Sequence, residues 1–139
     1  MTNGGVATSV ADLLKLDGFT SVKVDASAVT AIEGSAADLK KLVAAKGVEV
    51  AKGVNIEVTG ATTASDLATI LKSTLGKVTA TVTADTAAKL NAALKDAISS
   101  DDLALTVNGT TATAKDLISL DGKTSVAIEL NVGAITGNI

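Results

Sequence analysis

Residues 63–82, TASDLATILKSTLGKVTATV, join a helix-forming pattern directly to a strand-forming one. Thr63 and Asp66 form a Ser/Thr-x-x-Asp signature: the hydroxyl accepts from an early helix amide, and the acid favours the positive end of the helix dipole. Apolar residues then recur at helical spacing until Gly76, and residues 78–82 alternate apolar with small or polar side chains. This stretch therefore predicts a short helix followed by a half-buried strand.

The same unit recurs along the whole chain. Four segments carry the motif Ser/Thr-x-x-Asp-Leu, and a fifth keeps its frame with Lys in place of the acid. The fourth motif residues are Asp12, Asp38, Asp66, Lys89 and Asp116, at steps of 26, 28, 23 and 27 residues. Such self-similarity is typical of repeat architectures. We expect one domain over residues 1–139, with units starting near residues 9, 35, 63, 86 and 113.

The strand patterns indicate how the units pack. Alternating runs cover residues 22–24, 54–58, 78–82, 103–107 and 126–130. Helices that alternate with strands predict parallel strands joined by crossovers. A sheet covered by helices on both faces has continuously apolar strands, whereas half-buried strands favour helices on one face only. The predicted fold is a single-sided α/β solenoid of about five helix–strand repeats, with a parallel sheet on one face and short helices on the other.

Local signals set the expected ends of these elements. The helices are predicted to run for about ten to thirteen residues, with Gly47 and Gly76 as C-caps and with turns at Asp17-Gly18 and Asp121-Gly122. Residues 48–53 form an insertion that is either a loop or a short extra strand.

Composition excludes several classes of function. The chain has no His, Cys or Arg, so thiolate nucleophiles, imidazole bases and the usual zinc ligands are missing. Its net charge of −3, with the lysines scattered among acids, argues against a nucleic-acid partner. No apolar run is long enough to span a bilayer, and residues 1–5 show no signal-peptide pattern. We expect neither an enzyme, nor a cofactor, nor membrane insertion.

The acidic residues have structural explanations. The motif aspartates could form a ladder of metal ligands, but helix capping accounts for their position after a Ser or Thr. Asp96, Asp101 and Asp102 could bind a hard cation, but they lack the spacing of a calcium loop and fit a surface turn better. No metal or cofactor-binding residue is therefore predicted.

Three stretches carry a family resemblance: Leu16-Asp17-Gly18-Phe19-Thr20, residues 24–38 and residues 58–67. They resemble repeats of very large secreted or cell-surface proteins of bacteria, especially marine cyanobacteria. In those repeats a Leu-Asp-Gly-Asn-Thr turn precedes a Val-Asn-Ala-Ser-x-Val-Thr strand and a Thr-Gly-Thr-Ala-Ala-Asp helix start. The resemblance covers most of residues 9–70 and recurs over 112–137. It implies extracellular scaffold or adhesin-like material and brings no catalytic residues.

The two outer units are the most alike. Residues 12–24 align without gaps on residues 116–128, at an offset of 104, or four steps of 26. The C-terminal sequence after this second copy resembles residues 30–34, which lead into the next helix, so it stops where another unit would begin. This predicts that the chain comes from a longer array or imitates one.

An unpaired edge strand at the end of such an array invites another strand. The predicted self-association edge contains the apolar residues of the last unit, with no Lys or Pro to blunt it: Val126, Ile128, Leu130, Val132, Ile135 and Ile139. The expected partner is the chain itself, head to tail, or adjacent repeats of a longer parent.

These observations predict a structural repeat module of an extracellular or cell-surface bacterial assembly that self-associates end to end. The alternative is a surface-, glycan- or ice-binding module that uses the strand face. Thr79, Thr81 and Thr83 form the threonine column expected of an ice binder, but charged strands flank it, so an ordinary solvated sheet surface accounts for it better.

Overall fold

A computed structural model describes residues 7–137 of the chain. Within that range it contains five helices and nine strands. The helices are α1 Val10–Gly18, α2 Ala36–Ala44, α3 Ala64–Leu71, α4 Ala87–Ala93 and α5 Ala114–Asp121. The strands are β1 Thr8–Ser9, β2 Val24–Ala26, β3 Ala31–Ser35, β4 Val48–Val50, β5 Asn55–Thr62, β6 Val78–Val82, β7 Asp102–Ala104, β8 Thr106–Thr113 and β9 Glu129–Thr136.

All strand pairs in the described residues are parallel, as the alternation of helices and strands predicts. A five-stranded sheet has the order β1-β3-β5-β6-β7, and two further pairs join β2 to β4 and β8 to β9. A parallel bridge between Asp85 and Val107 links the residues after β6 to β8. Neighbouring strands therefore follow chain order, and each crossover carries one helix. The fold is a mixed α/β arrangement of five helices and parallel sheets.

The helix starts agree with the motif. The side chains of Ser35, Thr63, Thr86 and Thr113 each accept from the amide three residues later. Ser9 occupies the same position before α1, but its side chain makes no capping hydrogen bond. Thr86 caps α4 even though Lys89 replaces the acid, because the cap requires only the hydroxyl and the amide.

The helix ends differ from prediction. The helices are only seven to nine residues long, and neither Gly47 nor Gly76 is a C-cap. Helix α2 is capped by Ala45 in an extended conformation, and α3 by Lys72. The predicted turn at Asp17-Gly18 is also wrong, since α1 continues through Gly18. The predicted turn at Asp121-Gly122 is confirmed, since α5 ends at Asp121 and Gly122 is its C-cap.

Gly76 instead allows a close backbone approach. A Cβ at this position would lie 2.5 Å from the carbonyl oxygens of both Gly53 and Val54. The hydroxyl of Thr74 meets the same stretch, donating to the carbonyls of Lys52 and Val54. The glycine is therefore required by contact with the preceding unit, and not by the end of α3.

This contact gives the first testable prediction. Gly76→Ala should lower the free energy of unfolding by about 1–3 kcal/mol, because rigid backbone cannot move away from the added methyl group. Gly53→Ala is the matched control, since a Cβ at Gly53 meets nothing within 4 Å. Urea unfolding followed by circular dichroism measures both, and equal stabilities would contradict the assigned contact.

The strand boundaries also shift. Residues 103–107 do not form one strand, because Leu105 separates β7 from β8. The predicted strand at 22–24 begins later, at Val24, and its expected place in the main sheet is wrong, because β2 pairs with β4 outside the five-stranded sheet. The predicted strand at 126–130 begins at Glu129. In the last unit the side chains of Thr124 and Ser125 donate hydrogen bonds to the Asp101 carbonyl just before the strand. Residues 125–128 therefore stay outside the hydrogen-bond ladder of the sheet. The insertion does contain a short extra strand, β4, which pairs with β2.

The core lies between the helices and the strands. The leucine that follows the motif acid or Lys89 is at most 5% exposed in the first four units: Leu13, Leu39, Leu67 and Leu90. The inward strand residues Ile56, Val78 and Leu103 are equally buried. Phe19, the only aromatic residue, lies outside this core and is 83% exposed.

Candidate assembly surfaces

Two buried threonine hydroxyls join consecutive units. Thr124 donates to the carbonyls of Asp101 (3.3 Å) and Leu103 (2.8 Å) and accepts from the Leu103 amide at 2.9 Å. Thr74 makes the corresponding bonds to the carbonyls of Lys52 and Val54. Each threonine also accepts from the amide two residues later, which fixes its turn. A Thr in the turn before a strand thus ties that turn to the preceding unit.

Asp101 is a buried acid used for the same purpose. It is 1% exposed, and its carboxylate accepts from the amides of Val78 (2.9 Å) and Ile98 (3.0 Å). Its own carbonyl accepts from the Ser125 amide at 2.8 Å. One residue therefore connects the unit before it, its own turn and the unit after it. These backbone bonds account for the acid without a cation.

Among residues 7–137, three ion pairs cross between units, all in one direction. They are Lys23–Glu49 at 3.4 Å, Lys40–Asp66 at 2.7 Å, and Lys77–Asp102. In each pair the acid lies 25 or 26 residues after the lysine, which is one unit further along. In these three pairs the lysine is therefore directed toward the following unit.

The acids in two of these pairs have altered acidity. The hydrogen bond from Lys40 lowers the pKa of Asp66, and those from Lys77 and Ser125 lower the pKa of Asp102. A lowered folded-state pKa means that each pair stabilises the fold above the ordinary carboxyl pKa, and that this stabilisation is lost as the pH falls through the lowered value. Both carboxyls are partly exposed to solvent, so screening keeps each contribution small.

The two aligned segments, residues 12–24 and 116–128, expose different side chains to solvent. Leu16 is 47% exposed, whereas its counterpart Leu120 is completely buried. Conversely, Ile118 is 74% exposed, whereas its counterpart Leu14 packs against the core. Helix α1 packs on the helix after it, α2, and α5 packs on the helix before it, α4. Each copy therefore leaves uncovered the side on which no further helix packs.

The last strand, β9, is uncovered in the same way. Leu130 is 42% exposed and Ile135 is 55% exposed, while their register partners on β8, Val107 and Ala112, are 0% and 5% exposed. Val132 is half-buried. We call Ile118, Leu130 and Ile135 the C-terminal face. Without a further unit, these side chains remain in contact with water.

The predicted self-association edge divides among three places. Leu130, Val132 and Ile135 lie on β9, whereas Val126 and Ile128 precede the strand. Val126 is exposed and Ile128 is half-buried against the core. Ile139 lies outside the described residues. The exposed Leu16 of the first unit was not predicted from the sequence. The alignment of residues 12–24 on residues 116–128 was the signal that could have identified it.

Other candidate sites have weaker support. Within residues 7–137 no group of three or more acids is arranged to hold a metal ion. Thr79 pairs between Glu57 and Asp102, so the threonine column has acidic neighbours. A cavity of about 360 Å³ beside α2 is lined mainly by apolar side chains, and its Ser73 hydroxyl donates to the Ile70 carbonyl.

Comparisons with family models, with curated proteins and with solved structures found no match. Among the described residues, no helix has both the length and the apolar character needed to cross a membrane. The uncovered faces at the two ends are thus the features that carry a functional argument.

Proposed function

We propose that this chain is an α/β solenoid that serves as a structural repeat module of an extracellular bacterial surface or filament assembly, and that it self-associates end to end. In this solenoid each helix–strand unit is one layer, which covers its apolar side with the layers before and after it. The parallel strands in chain order support this reading, as do the links from Thr74 and Thr124 to the preceding unit. Repeat proteins of this kind act through their extended surfaces and their ends.

One observation carries the proposal: the motif copies at residues 12–24 and 116–128 are uncovered on opposite sides. An interior layer has neighbours on both sides and buries its leucine completely, as Leu67 and Leu90 do. The last layer leaves its equivalent leucine, Leu117, half-buried, and the first layer exposes Leu16 at 47%. Adding a further layer removes this surface from water, which favours association by roughly 25 cal/mol for each Å² of apolar area.

The edge of β9 adds backbone groups to this surface. The strand has eight residues and pairs on one side with β8. No strand pairs with its other side in the described residues, and β9 carries only one charged side chain, Glu129. Natural edge strands are usually kept short, charged or covered to prevent pairing. A long apolar edge without these features is suited to pairing with another strand.

The extracellular setting rests on the resemblance to giant secreted and cell-surface repeat proteins. The proposed role is mechanical, because hydrogen-bonded layers transmit load along the stack and present a continuous surface. It needs no catalytic residue and no cofactor.

The second prediction tests self-association directly. Wild-type protein should show a weight-average mass that rises with concentration in static light scattering, and Leu130→Lys should suppress the rise by placing a charge in the C-terminal face. Leu75→Lys is the matched control, since Leu75 is 81% exposed but lies in the middle of the chain. A wild-type mass that stays at 13.6 kDa into the millimolar range would contradict the proposal.

A further inference from the structure

We infer that the first layer is a receiving surface for the C-terminal face of a second copy, so that contact between copies is head to tail with a fixed polarity. This inference rests on the proposed self-association and adds its second surface. We call Leu16, Thr20 and Val22 the N-terminal face. Their counterparts in the last unit show what such residues do when a preceding layer is present.

The apolar residues of the N-terminal face, Leu16 and Val22, are more exposed than the equivalent residues of the last unit, which pack on a preceding unit. Leu120 is 0% exposed where Leu16 is 47% exposed, and Val126 is 39% exposed where Val22 is 72% exposed. The sequence around both pairs is the same Leu-Asp-Gly-x-Thr-Ser-Val. The exposure therefore does not come from a polar surface sequence. It comes from an interior-type sequence placed at the end of the stack.

The polar members lead to the same conclusion independently. Thr20 accepts from the Val22 amide at 3.0 Å, as Thr124 accepts from the Val126 amide at 3.1 Å, so the two turns share local geometry. Thr124 and Ser125 also bond to the preceding unit, at Asp101 and Leu103. Thr20 and Ser21 are exposed and have no preceding unit in the described residues. The turn is thus preformed to bond with carbonyls of a preceding layer.

The occupant that fits this surface is the last layer of a second copy. Its C-terminal face offers exposed Ile118, Leu130 and Ile135 to match the apolar part. The cross-unit ion pairs within one chain have the same polarity, because in all three the lysine reaches an acid one unit further along. A head-to-tail contact between copies keeps this order of units, whereas a head-to-head contact would bring like faces together.

Two different surfaces in contact form a heterologous interface, which continues into an open filament unless it closes into a ring. This gives a complementation experiment. Leu16→Lys blocks the N-terminal face and leaves the C-terminal face free, and Leu130→Lys does the reverse. Each variant alone should remain a monomer in sedimentation velocity. An equimolar mixture should form a complex of two chains and stop there, because each chain has one working face.

The outcomes separate this inference from the proposed function. If Leu16→Lys assembles alone as the wild type does, copies join without the N-terminal face, so the inference is overturned and the proposed function stands. If the wild type assembles but the mixture stays monomeric, the inferred head-to-tail contact is wrong. If the wild type never assembles, both fail. Should Leu16→Lys lose its circular dichroism spectrum, Val22→Lys replaces it, because Val22 is mostly exposed.

A hydroxyl deletion tests the polar contact. Thr20→Val should weaken wild-type assembly about tenfold, the effect of one lost intermolecular hydrogen bond. The monomer's melting temperature should change little, since Thr20 is exposed. Unchanged assembly would remove Thr20 from the interface.

Discussion

Leu67→Ala should lower the free energy of unfolding by about 3–4 kcal/mol, the middle of the range for a fully buried leucine. Leu67 is completely buried and lies in α3, which packs between α2 and α4. The substitution removes apolar contacts with the neighbouring elements and leaves a cavity that the backbone can close only in part. Urea unfolding of dilute protein, monitored by circular dichroism, measures the loss.

Leu117→Ala is the matched comparison. Leu117 occupies the same position in the motif but is only half-buried, because no helix follows α5 in the described residues. In dilute monomer its cost should be about half that of Leu67→Ala or less, since less surface is covered and the side chain faces an open end. Equal costs would show that the last unit is as well covered as an interior one, which contradicts the proposed stacking.

The second large effect is expected at Asp101. Asp101→Ala should lower the free energy of unfolding by about 2–5 kcal/mol, because it leaves the amides of Val78 and Ile98 without their acceptor in a buried setting. Asp101→Asn keeps one acceptor oxygen and should cost less. Since Val78 begins β6, hydrogen exchange of the β6 amides should also accelerate in the alanine variant.

Asp96→Ala provides the control for Asp101. Asp96 is exposed in the same loop, so its replacement should change the free energy of unfolding by no more than about 0.5 kcal/mol. If Asp96→Ala and Asp101→Ala lower the free energy of unfolding by the same amount, the effect does not depend on burial of the carboxylate. The role assigned to the buried carboxylate would then be wrong.

Features with local causes were predictable from the sequence. The starts of α2, α3 and α5 follow from a hydroxyl and an acid within four residues, and the structure places the caps at Ser35, Thr63 and Thr113. Parallel pairing also followed from the order of patterns along the chain. Features with distant causes were not predictable. Gly76 is a residue type that commonly ends a helix, so the sequence predicts a C-cap there. Only the closeness of the Gly53 and Val54 carbonyls in the structure shows why this position is a glycine.

Of the two candidate surfaces, one was predictable from the sequence and the other was not. The apolar residues of the last unit, with no Lys or Pro among them in β9, identify Leu130 and Ile135 as a potential edge from sequence alone. The N-terminal face does not stand out, because Leu16 and Thr20 belong to the same motif as the buried Leu120 and Thr124. The shared motif identifies a surface only when the exposure of both copies, in the first and the last unit, is known. The difference in exposure then shows which neighbouring unit each copy lacks.

Small-angle X-ray scattering across a concentration series tests the stacking of copies end to end most directly. Growth by stacking lengthens the particle while its cross-section stays that of one chain. We therefore expect the maximum dimension to rise in steps of one protomer length, with a constant cross-sectional radius of gyration. A maximum dimension that does not change with concentration, or a cross-section that widens as the mass grows, would contradict it.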